Sequence, residues 1–136
     1  MKWTNWFPIH NLKFEDIPKE PGIYQVRWAI NGKPQPINRL DRADNSGLLY
    51  IGVSTNLQSR IKNFWKRLKG GKAPHTAGHT FTAYNFERKI RPEHLEVRWA
   101  QLQKRELDST ETIFLEKYVK KFLDKPPLNL AVKRKR

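Results

Sequence analysis

The side chains of this chain that can do chemistry are phenols, carboxylates, imidazoles and guanidiniums. Cys is absent from all 136 residues. That removes disulfides, Cys-based zinc sites and thiol nucleophiles together, and it fits a reducing, intracellular (cytoplasmic) setting. The chain has no G-x-x-x-x-G-K-[ST] loop and no G-x-G-x-x-G, so nucleotide-dependent chemistry has no support. No G-x-S-x-G elbow offers a serine nucleophile. The histidines are His10, His75, His79 and His94. His75 and His79 stand four apart, which on a helix would suit a metal pair. No Glu follows His75, however, and the intervening Ala77-Gly78 predicts a loop. One of the two working at a site and both being ordinary surface residues fit the spacing equally.

Charge points to the partner. Lys and Arg total 27 against 13 Asp and Glu, a formal charge of +14. Such a field favours a polyanion, and nucleic acid is the usual one. Charge alone does not separate a nuclease from a passive binder, or DNA from RNA. No apolar run approaches the roughly 18 residues of a membrane span, and Leu48 to Val53 is about the longest. No signal-peptide core follows Trp3, Trp6 and Phe7, which are expected to lie on the chain's own core. With 38% hydrophobic residues the chain can bury one core, not two.

The elements that must position any site follow from pattern. Pro21-Gly22 opens a run of β-branched and aromatic residues, Ile23 to Ile30, which predicts a strand. Asn31-Gly32 is a hairpin signal. Two prolines keep Lys33 to Pro36 out of a central strand, so 31–47 is a turn and a long connection. Leu48 to Gly52 predicts a short apolar strand. Ser54-Thr55-Asn56 supplies helix caps, and Leu57, Ile61, Phe64 and Leu68 repeat at helical spacing until Gly70-Gly71. Residues 72–94 are ambiguous, and Thr80 to Phe86 reads equally as a strand or a helical turn. Leu95 to Trp99 alternates as a strand. Leu107 to Leu123 is a second helix, stopped by Pro126-Pro127. The order predicts a small α/β or α+β domain.

Two tripeptides make the reading specific. Gly22-Ile23-Tyr24 and Tyr50-Ile51-Gly52 resemble the defining motifs of the GIY-YIG nuclease superfamily. The stretch from Tyr50 to Ile61 resembles the family's strand-loop-helix, with Asn56-Leu57 and then Arg60 ten residues after Tyr50. Pro127-Leu128-Asn129 resembles its closing P-x-N element. The resemblance runs from about Pro21 to Asn129. It implies three antiparallel strands flanked by helices, and one domain over 1–136. An N-terminal extension (1–20), an insertion (31–47) and a basic tail (130–136) would surround its core. It also implies hydrolysis of a DNA phosphodiester with one divalent metal, Mg²⁺ or Mn²⁺. In that mechanism a Tyr assists the attacking water, an Arg stabilises developing charge and a Glu on a later helix holds the metal.

Elementary chemistry is compatible with those roles. A free phenol has a pKa of about 10, so Tyr24 or Tyr50 serves as a base only beside cations or a metal. Arg60 can supply the cation, and its guanidinium matches phosphate geometry. On an ideal helix Arg60 lies about 60° from Leu57 and Arg67 about 80°, both at the edge of the apolar face. Lys62 and Lys66 point away, as a general electrostatic surface. Glu111 shares the face of Phe114, Leu115, Tyr118, Val119 and Phe122, whereas Glu116 is about 140° away among lysines, so Glu111 is the metal-ligand candidate. Asp108 to Glu111 also reads as a capping box. Asn129 would support the site, or bond its own backbone in a turn. The resemblance also points to a His after the Arg helix. Gly78 allows close approach beside His79, which is preferred to His75.

Three features depart from the pattern. Twenty-six positions separate Tyr24 from Tyr50, so 31–47 is long; it would contact substrate through Arg39 and Arg42 or be decoration. Eighteen positions separate Glu111 from Asn129. Val53 stands where some members carry Lys. The function expected is a metal-dependent endonuclease on DNA rather than RNA, with no membrane partner. The alternative is a catalytically silent nucleic-acid-binding module in a larger repair or restriction assembly. Targeting would come from the insertion, a homodimer or a partner protein.

Overall fold

The computed structural model describes residues 1–129; the expected basic tail, 130–136, lies outside the described residues. The fold is α+β. Three strands carry it: β1 (Gly22–Ile30), β2 (Leu48–Ser54) and β3 (Leu95–Gln101). β1 is central and pairs antiparallel with both others, Tyr24 standing opposite Gly52 and Trp99. Its position explains its sequence. Ile23, Tyr24, Gln25 and Val26 are all buried, because both faces of a central strand are covered. A register shift at Val26/Arg27 interrupts its ladder with β2. The segment Phe7–Pro8 adds a short ladder to the free edge of β3.

Three helices cover the two faces. α1 spans Leu57–Leu68, α2 Thr76–Ala83 and α3 Leu107–Phe122. α1 starts where its cap predicts, with the Asn56 side chain accepting from the Ser59 N–H at 3.1 Å. It buries Leu57, Ile61, Phe64 and Leu68 in a core that also contains Tyr24, Val26, Phe81 and Leu128. α3 covers the opposite face, where Leu115, Tyr118 and Phe122 meet Ile23 and Ile51.

Three local readings change. The ambiguous stretch contains α2. Its eight residues include Gly78 and three β-branched threonines, so it shows no amphipathic period. The capping box sits at Gln103 and Glu106, one short 3₁₀ turn ahead of α3, which leaves Asp108 inside the helix. The insertion folds as two small hairpins, Asn31 and Gly32 turning the first with positive φ, 51° and 77°. The N-terminal tryptophans pack on the sheet's α3 face. Trp3 meets Phe114 edge-on at 5.9 Å, and Arg27 and Arg98 lie over the Trp6 ring at 4.4 and 4.7 Å.

Candidate active site

The two tripeptides meet because their strands are neighbours. Tyr24 on β1 and Tyr50 on β2 project to the same face, their rings 5.8 Å apart. Gly52 lies directly opposite Tyr24. A Cβ on Gly52 would stand 2.6 Å from Tyr50 Cε2 and 2.9 Å from Tyr24 Oη. The glycine therefore leaves the space into which both phenols fit. Gly22 has a similar duty: its Cβ would collide with the Ala100 carbonyl and stand 2.6 Å from Leu57 Cδ1, so α1 could not seat on β1. The glycine of each tripeptide is fixed by packing.

His75 completes this cluster. It is buried, and its Nε2 lies 2.7 Å from Tyr24 Oη. It is also the cap of α2, its Nδ1 accepting from the Gly78 N–H at 3.2 Å. A backbone N–H can only donate, so Nδ1 is the acceptor and the proton of the neutral ring sits on Nε2. His75 therefore donates to Tyr24. Burial, then the nearby Arg60 charge, lower its pKa to about 3, and it is neutral at ordinary pH. The Tyr24 hydroxyl, receiving that bond, keeps its own hydrogen for another acceptor.

The phenols are not equivalent. Burial pushes Tyr24 well above 10, the neighbouring Tyr50 raises it further, and Arg60 opposes both. Tyr50 is raised by burial but lowered by Arg60 and by the Tyr24 hydroxyl, while Glu111 raises it. Its environment favours phenolate more than that of fully buried Tyr24. If one of the pair gives up its proton, the physics selects Tyr50.

Arg60 reaches the cluster from α1. Its Nη1 donates to the Pro74 carbonyl at 2.9 Å, tying the helix to the loop that delivers His75. Its charge acts on Tyr24, Tyr50 and His75 alike. A cleft of about 320 Å³ opens beside it, lined by Arg60, Arg67, Pro74, His75, Thr76 and His79. Glu111 is buried at 8% exposure on α3, near enough for its charge to act on Tyr50.

The other candidates fall elsewhere. His79 lies in the cleft wall, not against Tyr24; it is exposed and its Nδ1 takes a 2.7 Å bond from Arg67 Nη2. Asn129 is buried, but it brackets the main chain of Ile51. Its Nδ2 donates to the Ile51 carbonyl at 2.9 Å and its Oδ1 accepts from the Ile51 N–H at 3.1 Å. It holds the residue between Tyr50 and Gly52, a positioning task. Arg39 is taken up by Asp124 (3.0 Å) and the Lys125 carbonyl (2.9 Å), and Arg42 by Asp41 (2.9 Å). Neither joins the Tyr24 cluster. The sequence offered His75 and His79 as equals except for Gly78. What separates them is the start of α2, which turns His75 inward as a cap.

The donor set bears on which metal the site could hold. Among the described residues no group of three or more His, Cys, Asp or Glu converges, so no all-protein zinc cage is formed. Glu111, buried on α3 and near Tyr50, is the carboxylate that could hold a hard ion such as Mg²⁺, which keeps several waters and takes further oxygens from a phosphate.

His75 also gives a stability test. Its folded pKa lies below the unfolded value near 6.5, so the unfolded state binds the proton first. The native state therefore loses stability as pH falls from 6.5 towards 3. That loss amounts to about 3 kcal/mol between pH 6.5 and 4. Urea unfolding of His75→Phe should show a shallower decline over this window than wild type. Parallel declines would mean that His75 does not stay neutral in the fold.

No protein-family model, curated protein or solved structure matches this chain.

Proposed function

We propose that this chain is a metal-dependent endonuclease that hydrolyses phosphodiester bonds in DNA. One observation carries the reading: Tyr24, Tyr50, Arg60 and His75 gather from β1, β2, α1 and the start of α2, and Glu111 of α3 lies near enough to act on Tyr50. The charge of +14 and the resemblance of the two tripeptides to the GIY-YIG motifs support it.

In this reading the phosphate enters the cleft beside Arg60. The guanidinium pairs with non-bridging oxygens and counters the charge that grows there. Tyr50 orients the attacking water and accepts its proton, helped by the Arg60 charge and by the Tyr24 hydroxyl. His75 holds Tyr24 in place from behind. Glu111 would hold the divalent ion, which when bound supplies positive charge at the reacting phosphate and its leaving oxygen.

The test is cleavage of supercoiled plasmid, branched DNA and single strands with Mg²⁺, Mn²⁺ or EDTA. Wild type should nick one of these only when metal is present, and Glu111→Ala should bind DNA but not cut. If neither protein cuts any substrate while both bind, the catalytically silent binding module takes its place.

A further inference from the structure

α1 carries cations on two edges, and the nuclease reading uses only one. Arg60 and Arg67, seven residues apart, share the edge beside the cleft. Lys62, Lys66 and Lys69 fall about 180–240° around the helix from Arg60. There they line a second groove of about 370 Å³ with Phe14, Trp65 and Lys72. No carboxylate is among its lining residues.

The groove is shaped by the end of the helix. Gly70 takes a φ of +85°, and the Gly71 N–H donates back to the Lys66 carbonyl at 2.9 Å. A Cβ on Gly71 would stand 2.7 Å from that carbonyl oxygen. The chain can fold back only because glycine is there, and folding back sets Lys72 beside Lys66. Trp65 forms an apolar wall, with Lys69 Nζ 5.5 Å from its ring centre. Four ammonium groups brought together without counter-charge raise the potential locally, and an anion relieves it.

We propose that this lysine edge binds the phosphate backbone of the complementary strand, so the substrate is a duplex. A helix with its side chains is about 10–12 Å across, close to the roughly 12 Å width of the B-DNA major groove. One strand would then meet Arg60 and the reacting groups while the other lies along Lys62, Lys66 and Lys69. A single strand in the cleft has nothing to place on the far edge. The proposal rests on the nuclease reading for which strand is cut, but its test does not need cutting.

The experiment measures binding in EDTA of a fluorescent 20-base-pair duplex and of the matching single strand, across a salt series. The protein is wild type or the triple variant Lys62→Gln, Lys66→Gln, Lys69→Gln. These residues are exposed, so folding should be preserved, which circular dichroism checks. Duplex affinity should fall at least tenfold at low salt. The slope of log K against log salt should shrink by about 2–3, since each duplex phosphate contact contributes roughly 0.9. Single-strand affinity should change less than twofold. Equal losses for both forms, or no loss for the duplex, would overturn the proposal. A selective loss of duplex binding, alongside a wild type that cuts no DNA when Mg²⁺ is supplied, would uphold the duplex contact and count against the nuclease reading alone.

Discussion

Arg60→Gln should lose most of the cleavage activity while keeping the fold. The side chain lies where it acts on both phenols and on His75 and borders the cleft, so it serves twice. Removing a preorganised donor to developing oxyanion charge lowers kcat by about 10²–10³. The second effect has a definite sign. Arg60 lowers the pKa of Tyr24 and Tyr50, so its loss raises both. The pH at which the rate climbs should therefore move upward in Arg60→Gln. Arg60→Lys keeps a charge but not the fork, and should restore the pH profile better than the rate. A pH–rate profile of all three proteins checks this. An unmoved profile would mean that no phenol takes the proton.

Gly52→Ala should strike the paired phenols directly. The added carbon would meet Tyr50 Cε2 at 2.6 Å and Tyr24 Cζ and Oη at 2.9 Å. Tyr24 is fully buried and bonded to His75, so it has little room to yield. Overpacking of this kind costs about 1–3 kcal/mol. Activity should suffer more than stability, because moving reacting groups by roughly 1 Å can cost a hundredfold. Thermal unfolding paired with cleavage rates well below the unfolding temperature separates the two. Loss of stability with full specific activity would place the tyrosines outside the chemistry.

The regular elements were legible where periodicity was strong. The β-branched run after Pro21-Gly22 became β1, the 4-3-4 spacing of Leu57, Ile61, Phe64 and Leu68 became α1, and the clean alternation from Leu95 became β3. α2 was not legible, since a short helix holding Gly78 and capped by a histidine carries none of the usual signals. That gap matters for the site, because the start of α2 is what turns His75 toward Tyr24. The two tripeptides marked Tyr24 and Tyr50. The reason for Gly52 emerged only from the strand register that sets it opposite Tyr24. Asn129 is a long-range case: its partner is the main chain of Ile51, 78 positions away, and no local pattern encodes that bond. The engagement of Arg39 by Asp124 is equally remote in sequence.

In the proposed reaction Tyr50, Arg60 and Glu111 work as one unit, a cooperation that a double-variant cycle resolves. It is tested most directly by single-turnover cleavage with Mg²⁺, comparing wild type, Arg60→Gln, Glu111→Gln and the double variant. Groups that act together in one step are strongly non-additive. Wild type should cut only with metal, each single variant should fall at least a hundredfold, and the double should fall scarcely further. Full activity in either single variant, losses that simply multiply in the double, or a wild type that cuts nothing in any divalent metal would contradict the account.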